Sequence, residues 1–578
     1  MDEKVIRFDL SAETLLDIAE KKLDEKDHIG ALRVLRKSVE RNGATVDEYE
    51  VFADIYDEME LFEMSADYWY KFLDACAEEE AVDAYEGLAA CYYNMGNERQ
   101  AAYYYNLMVE DKFVTPENNI EMGELFSSAA KRPFRVVYPP SEADYAQELE
   151  EGLRCLRGGD YAGADEKFAS VPPASKNYSG ACNFLALSKL MQGKADEAEA
   201  VCLERLRQDE DNIPLLSTYA AVLTEQGRGA ESRAVAKRLA AMSVSSVDDL
   251  YKIATVCCEN KLYEEAYEKF CLLEKQVSYD LTLLYFKAVA AFKGGRVKES
   301  LAGFAKIIDI FPDAAVARYY FGEIRRYAEE GGDAPETTFF YRLPLSEREA
   351  RVKLLAALAE IPQADLRAFL ADIDLTEYVE WCFDEADGMD IELMLLGMRV
   401  AVKAGMDDFV RDMLLESGRN DLVKVEGVRY LAERNRSFTA GVVISDFYRR
   451  ISFDKLSVGR TKHAKFLHAY ALCFARFALL GDGSGEDYKA AAERIYGALE
   501  RASAMDAVSD EASLACAIYF ISSRNALKRT QEILQMLKGN GENVAHILHI
   551  VNADVEKEIA VTSEKEKGPR AGAADGKE

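Results

Sequence analysis

A small residue returns every 34 positions along the first 330 residues, and this spacing restricts the fold of the 578-residue chain more than any other feature. Aligned on Ala89, in Ala84-Tyr-Glu-Gly-Leu-Ala-Ala-Cys-Tyr-Tyr93, the equivalent positions are Ala19, Ala53, Ala89, Gly152, Ala186, Ala220, Ala254, Ala288 and Gly322. Every step from Gly152 to Gly322 is 34 residues; Ala19 to Ala53 is also 34, and the next step is 36. A second small residue follows each of the first eight by 12: Ala31, Ser65, Ala101, Ala164, Ala198, Ser232, Ala266 and Ser300. Two helices that pack at short range need small side chains where their backbones approach. A bulkier neighbour must fill the space left, and four residues further on stand Leu35, Trp69, Tyr105, Phe168, Cys202, Ala236, Phe270 and Phe304. Turn residues fall between the paired helices, as in Gly96-Asn97, Gly158-Gly159, Gly193, Gly227 and Gly294-Gly295.

A 34-residue helix–turn–helix with these small and bulky positions resembles the tetratricopeptide repeat (TPR) family. The resemblance covers residues 12 to about 330 and implies an all-α right-handed superhelix of about eight repeats with a capping helix. The family's usual first-helix Trp is absent, and Cys202 and Ala236 are short for a filling position. The step from Ala89 to Gly152 is 63 residues, five short of two repeats. Glu117–Ala130 reads as a first helix without its second; Lys131-Arg-Pro-Phe-Arg-Val-Val-Tyr-Pro-Pro140 reads as an extended strap. The expected organisation is an acidic repeat domain over 1–130, the strap over 131–143, and a second array with capping helix over 144–333. A C-terminal helical domain over 334–560 and a disordered tail over 561–578 follow.

The resemblance implies binding along a concave face, lined by first-helix positions six and three before the first small residue and one and four after it. In the early repeats these include Glu13, Glu20, Asp47, Glu50, Asp54, Asp57, Asp83 and Glu86. In the later ones they include Leu149, Leu153, Leu156, Leu187, Leu190, Tyr251, Tyr285, Val289, Phe292 and Tyr319. The first set makes a groove for a basic segment; the second is apolar and needs a cover, either an amphipathic partner helix or this chain's own C-terminal part. The carboxylate clamp of some TPR proteins is replaced here by Leu16, Glu20 and Val51, so the resemblance does not extend to that ligand.

Charge points the same way. Residues 1–130 hold 31 acidic and 12 basic side chains, a net of −19, and the whole chain stands at −32. Such a field repels nucleic acid and anionic membranes and attracts basic segments. No apolar run reaches the roughly 18–20 residues that cross a bilayer. The start lacks a signal peptide's pattern, and the eleven cysteines have no framework spacing, so a cytoplasmic protein with reduced thiols is expected.

After Tyr341-Arg-Leu-Pro-Leu345 the 34-residue register ends. Ser346 is expected to cap a helix, and helical patterns follow at Val352–Glu360, Leu366–Leu370, Tyr378–Phe383, Ile391–Ala404, Phe409–Leu415 and Asp421–Glu433. Residues 440–456 are rich in β-branched and aromatic side chains around a polar Ser445-Asp446, which predicts one β-hairpin among helices. Phe466–Leu480, Tyr488–Ala502 and Glu511–Ser522 read as helices. Thr530–His549 reads as helix, glycine turn, helix, but its second helix, Glu542–Val551, carries no Lys or Arg for phosphate contacts.

Phosphate-loop, dinucleotide, nucleophile-elbow and zinc-protease motifs are all missing. His546 and His549 lie one turn apart without further ligands, and His463 and His468 are five apart, a poor spacing for one face. No catalytic residue, metal or cofactor is therefore expected. The reading is a non-enzymatic scaffold or adaptor with protein or peptide partners, the basic ones on the acidic groove. The alternative is a peptide-sensing regulator whose C-terminal domain acts on transcription machinery or nucleic acid.

Overall fold

The computed structural model describes residues 11–110, 145–362, 366, 374–385, 390–523 and 529–566. The strap expected at 131–143, the helix at 117–130 and residues 567–578 of the expected tail lie outside the described residues.

The chain opens with three helix pairs: α1 (Ala12–Asp24) with α2 (His28–Asn42), α3 (Val46–Glu58) with α4 (Phe62–Ala75), and α5 (Ala81–Asn94) with α6 (Glu98–Glu110). Five more follow: α7 (Ala146–Arg157) with α8 (Tyr161–Ala169), α9 (Tyr178–Met191) with α10 (Ala195–Leu206), α11 (Ile213–Glu225) with α12 (Gly229–Ala240), α13 (Val247–Glu259) with α14 (Tyr263–Glu274), and α15 (Leu281–Lys293) with α16 (Val297–Ile310). The single helix α17 (Ala315–Glu330) closes the series. Beyond it come α18 (Leu345–Glu360), α19 (Leu375–Asp384), α20 (Ile391–Ala404), α21 (Asp407–Leu415) and α22 (Asp421–Glu433). Strands β1 (Phe438–Ile444) and β2 (Phe447–Phe453) precede α23 (His463–Cys473), α24 (Gly485–Arg501), α25 (Glu511–Ser522), α26 (Thr530–Leu537) and α27 (Gly541–Glu566). The fold is all-α with TPR-type helix pairs and a single two-stranded sheet among the described residues.

The repeat geometry follows from its small residues. All eight second-helix positions, from Ala31 to Ser300, have no exposed surface, and so do Ala19, Ala53, Ala186, Ala220, Ala254 and Ala288. Among the serines, Ser232 Oγ donates to the Ala220 carbonyl at 2.9 Å. Gly152 shows why size matters, since a Cβ there would lie 2.5 Å from the Phe168 ring. The short fillers Cys202 and Ala236 are fully buried as well. One filler differs from expectation: Tyr104, not Tyr105, is the buried ring on α6.

Helix ends are capped by the residues suited to it. Ser11, Asp160, Asn212, Ser246 and Asp280 each accept a first-turn backbone N–H, and Thr45 with Glu48 forms a capping box. Ser346 does not cap α18, which begins one residue earlier; the Pro344 carbonyl accepts the N–H groups of Glu347 and Arg348 instead.

The chain forms two compact units that cut across its linear order. One gathers Met1–Asn42 and Val114–Ala350; the other gathers Gly43–Phe113 and Arg351–Glu578. In the first unit α2 lies on α16: Arg33 pairs with Asp309 at 2.5 Å, Arg36 donates to the Ile308 and Ile310 carbonyls, and His28 meets Tyr279 Oη at 3.1 Å. The early repeats therefore do not form one block: the first pair belongs with the later array, the second and third with the C-terminal helices.

In the second unit α23, α24, α25 and α27 pack through Phe466, Tyr470, Ile495, Leu499, Leu514, Ile518 and Ile547, all fully buried. The helix expected from Phe466 to Leu480 changes to a π-helix over Phe474–Ala478. Helix α27 runs to Glu566, six residues into the expected tail, and buries Val544, Ile547 and Val551.

Candidate interaction surfaces

Helix α3 presents Asp47, Glu50, Asp54 and Asp57 at intervals of three and four, one stripe opposite the buried Val51, Phe52, Ile55 and Tyr56. Asp57 is half-buried and the other three are exposed; α5 adds the exposed Asp83 and Glu86. Among the described residues, the side chains of Asp47, Asp54, Asp57, Asp83 and Glu86 have no hydrogen-bond or ion-pair partner. Loss of surrounding water, then the charges of Asp57 and Glu58, lift the Asp54 carboxyl above its ordinary range. Asp57 is lifted by the same desolvation and by Glu58. Glu13 and Glu20 are exposed on α1, in the other unit, so the eight acidic positions are not all on one body.

The apolar positions have different environments. Leu149, Leu153 and Leu156 are half-buried against the cluster of Ala164, Phe168, Val171 and Ala181, so they belong in part to the repeat's own core. Leu187 and Leu190 are half-buried on α9. Tyr251 remains 40% exposed, stacked 6.5 Å from Phe286; Phe292 meets Tyr327 edge-on and Tyr319 meets Tyr320. Tyr285 and Val289 are fully buried.

What covers Tyr285 is a connecting segment of the same unit, running through Thr337, Thr338, Phe339, Phe340, Tyr341 and Arg342 to Leu343. Tyr285 Oη lies 3.1 Å from the Thr338 carbonyl and 3.0 Å from that of Phe340, and Tyr320 Oη donates to Arg342 at 2.9 Å. Phe339 lies between Tyr263 and Phe286, and Tyr341 meets Tyr285 edge-on at 5.0 Å. These contacts read backbone more than side chain.

A second grip of this kind occurs in the other unit. The hairpin pairs Phe438 with Phe453 through Ile444 with Phe447, so Ser445 and Asp446 make a two-residue turn. Both have positive φ, 51° and 65°, without being glycine. That conformation costs roughly 1–2 kcal/mol per residue, and it persists only where neighbours hold it. Asp421 accepts the Ser445 N–H and hydroxyl, the latter at 2.7 Å. The Asp446 carbonyl faces Gln100 Nε2 at 2.6 Å, Tyr104 Oη at 2.8 Å and Tyr70 Oη at 2.9 Å. A carbonyl has two lone pairs, so the proton count closes when Gln100 and Tyr104 fill them and Tyr70 donates to Tyr92, 2.8 Å away. Burial holds all three tyrosines far above their usual range, so they remain donors.

The same face of α4 supplies Asp74, which accepts from Tyr448 Oη at 2.9 Å, and Asp67, which accepts the Ser417 N–H at 2.6 Å and hydroxyl at 2.7 Å. Asp67 is pushed up to about 7, first by burial and then by Glu416, against the pull of the Ser417 hydrogen bonds. Sequence reasoning missed Tyr70, Gln100 and Tyr104, because their partner lies some 340–380 residues away.

No helix among the described residues is long and apolar enough to cross a membrane. No protein-family model and no curated protein matches the chain. Solved structures do. The TPR domain of P58(IPK) matches 68% of this chain and 99% of its own at 11% identity, TM-score 0.20. Yeast Tom70 matches 96% and 99% at 13% identity, TM-score 0.20. The APC/C hetero-tetramer Cut9–Hcn1 matches 91% and 97% at 10% identity, TM-score 0.23. The repeat assignment stands on this chain's own 34-residue register.

Proposed function

We propose that this chain is a non-enzymatic TPR-type scaffold whose α3–α5 acidic face takes a basic segment of a protein partner. The supporting observation is that Asp47, Asp54, Asp57, Asp83 and Glu86 have no counter-charge among the described residues, and that Asp54 and Asp57 are held above their ordinary range by desolvation first and then by neighbouring carboxylates. A Lys or Arg placed between Asp54 and Asp57 offsets the carboxylate repulsion and supplies the counter-charge that burial makes favourable. The apolar positions on α7 and α9 are the second docking line, for an apolar partner segment; on α15 the chain's own residues 337–343 already take that place.

The test is fluorescence anisotropy of a labelled Lys- and Arg-rich peptide against the full chain. Replacing Asp54→Lys and Asp57→Lys together is expected to weaken binding by at least tenfold, with the circular dichroism spectrum unchanged. Binding unaltered by this double reversal contradicts the assignment. The pH dependence has a defined sign. Both folded values are raised, so the carboxylates become fully ionised only above the usual carboxylate range, and affinity for the basic peptide rises with pH through that window.

A further inference from the structure

The segment Arg399–Lys465 holds 14 Lys and Arg against 9 Asp and Glu, a net of +5 inside a chain of −32. Its folding collects cations around two cavities of the second unit. One, of about 460 Å³, is lined by Arg399, Lys403, Arg429 and Arg434 with Val402 and Tyr430; its carboxylate is Glu433, and His468 stands at its wall. The other, of about 180 Å³, shares Arg434 and adds Arg411 and Arg436, with Asp407 and the apolar Leu431, Phe438 and Ala440. The combined lining thus carries five arginines, one lysine and two carboxylates.

Three of these cations are held by hydrogen bonds, two of them in part by carboxylates of the lining itself. Arg429 donates to Glu426 at 2.6 Å and to Glu433 at 2.5 Å, Arg434 pairs with Asp407, and Lys403 donates to the Leu358 and Ala359 carbonyls at 3.2 and 2.6 Å. Each arginine offers five N–H groups and these anchors use two, so donors remain on held side chains. The other three are uncommitted: Arg399 has only Glu360 at 3.7 Å, and Arg411 and Arg436 have no ion-pair or hydrogen-bond partner among the described residues. Lys403 is held below its ordinary range by burial first and then by Arg399, with Glu360 acting against them.

We infer that the cations lining these two cavities, which share Arg434, bind a compact, multiply charged phosphate compound. Guanidinium forks match phosphate oxygens bidentately, and several of them around cavities that share Arg434 suit linked phosphate groups better than one carboxylate. The chain's overall acidity does not oppose this, because at physiological ionic strength charges more than about 8 Å away are largely screened.

Isothermal titration of the full chain with inorganic tripolyphosphate, at constant ionic strength, tests the inference. One site per chain is expected, weakened at least tenfold in the Arg411→Glu, Arg436→Glu double variant. Both residues are exposed and unpaired, so the unliganded melting temperature should not move. The control is Arg450→Glu with Arg460→Glu, exposed arginines outside the lining, which makes the same change in net charge. Equal weakening in variant and control shows only general electrostatics and overturns the site, as does absence of binding at millimolar ligand. Citrate binding more tightly than tripolyphosphate overturns the phosphate assignment.

Discussion

The turn inside each repeat depends on one residue with left-handed backbone. That residue is Gly96, Gly159, Gly193, Gly227 and Gly295 in five turns, but Lys26, Glu60 and Lys261 in the equivalent places of three others. A non-glycine residue there is strained by roughly 1–2 kcal/mol, while glycine loses about 0.5–1 kcal/mol more chain entropy on folding. The balance favours glycine, so Glu60→Gly and Lys261→Gly should each raise stability by about 0.5–1 kcal/mol. Urea denaturation reads this, and a loss in both variants would contradict the turn geometry. The opposite holds at Gly152, where a methyl group meets the Phe168 ring. Gly152→Ala should cost about 1–3 kcal/mol by overpacking. These positions were legible in sequence because contacts between adjacent helices recur at fixed spacing. Tyr104 was not: its hydroxyl serves a distant hairpin, which spacing within a repeat does not reveal.

Among the elements, the hairpin was legible from its β-branched run and polar turn, and so were most helices from Ile391 onward. The covering segment 337–343 was not, because it has neither helical nor strand periodicity. Its only signal is the cluster Phe339-Phe340-Tyr341 in a connecting stretch. It is held through carbonyls by Tyr285 and Tyr320, so Tyr285→Phe should loosen it at a cost of about 1 kcal/mol, with faster proteolysis between residues 331 and 344. Unchanged proteolysis would show that apolar packing alone holds the segment. On α4, Asp67 links docking to pH. Its folded value, about 7, is raised from 3.8. The folded state therefore binds a proton that the unfolded chain has released, and stability falls as pH rises from about 4 to about 7. Asp67→Asn keeps an Oδ1 acceptor for Ser417 and removes the titration, so the variant should lose less stability than the parent between pH 5 and pH 8. Parallel losses in the two proteins would rule out Asp67 as the source.

At the scale of the whole molecule, two properties were hidden by treating the chain as linear and its charge as uniform. The first helix pair belongs with the later repeats, and the second and third pairs belong with the C-terminal helices, a division set by contacts hundreds of residues apart. The cationic lining on α20, α21 and α22 was masked by a net charge dominated by acidic helices elsewhere. The acidic stripe was legible because a helix places residues three and four apart on one face, and Asp47, Asp54 and Asp57 have no partner among the described residues. Hydrogen–deuterium exchange of the full chain, with and without a Lys- and Arg-rich peptide, tests the scaffold account most directly. The account predicts added protection confined to α3 and α5 and its loss in the Asp54→Lys, Asp57→Lys variant. Protection elsewhere with α3 and α5 unchanged would contradict it.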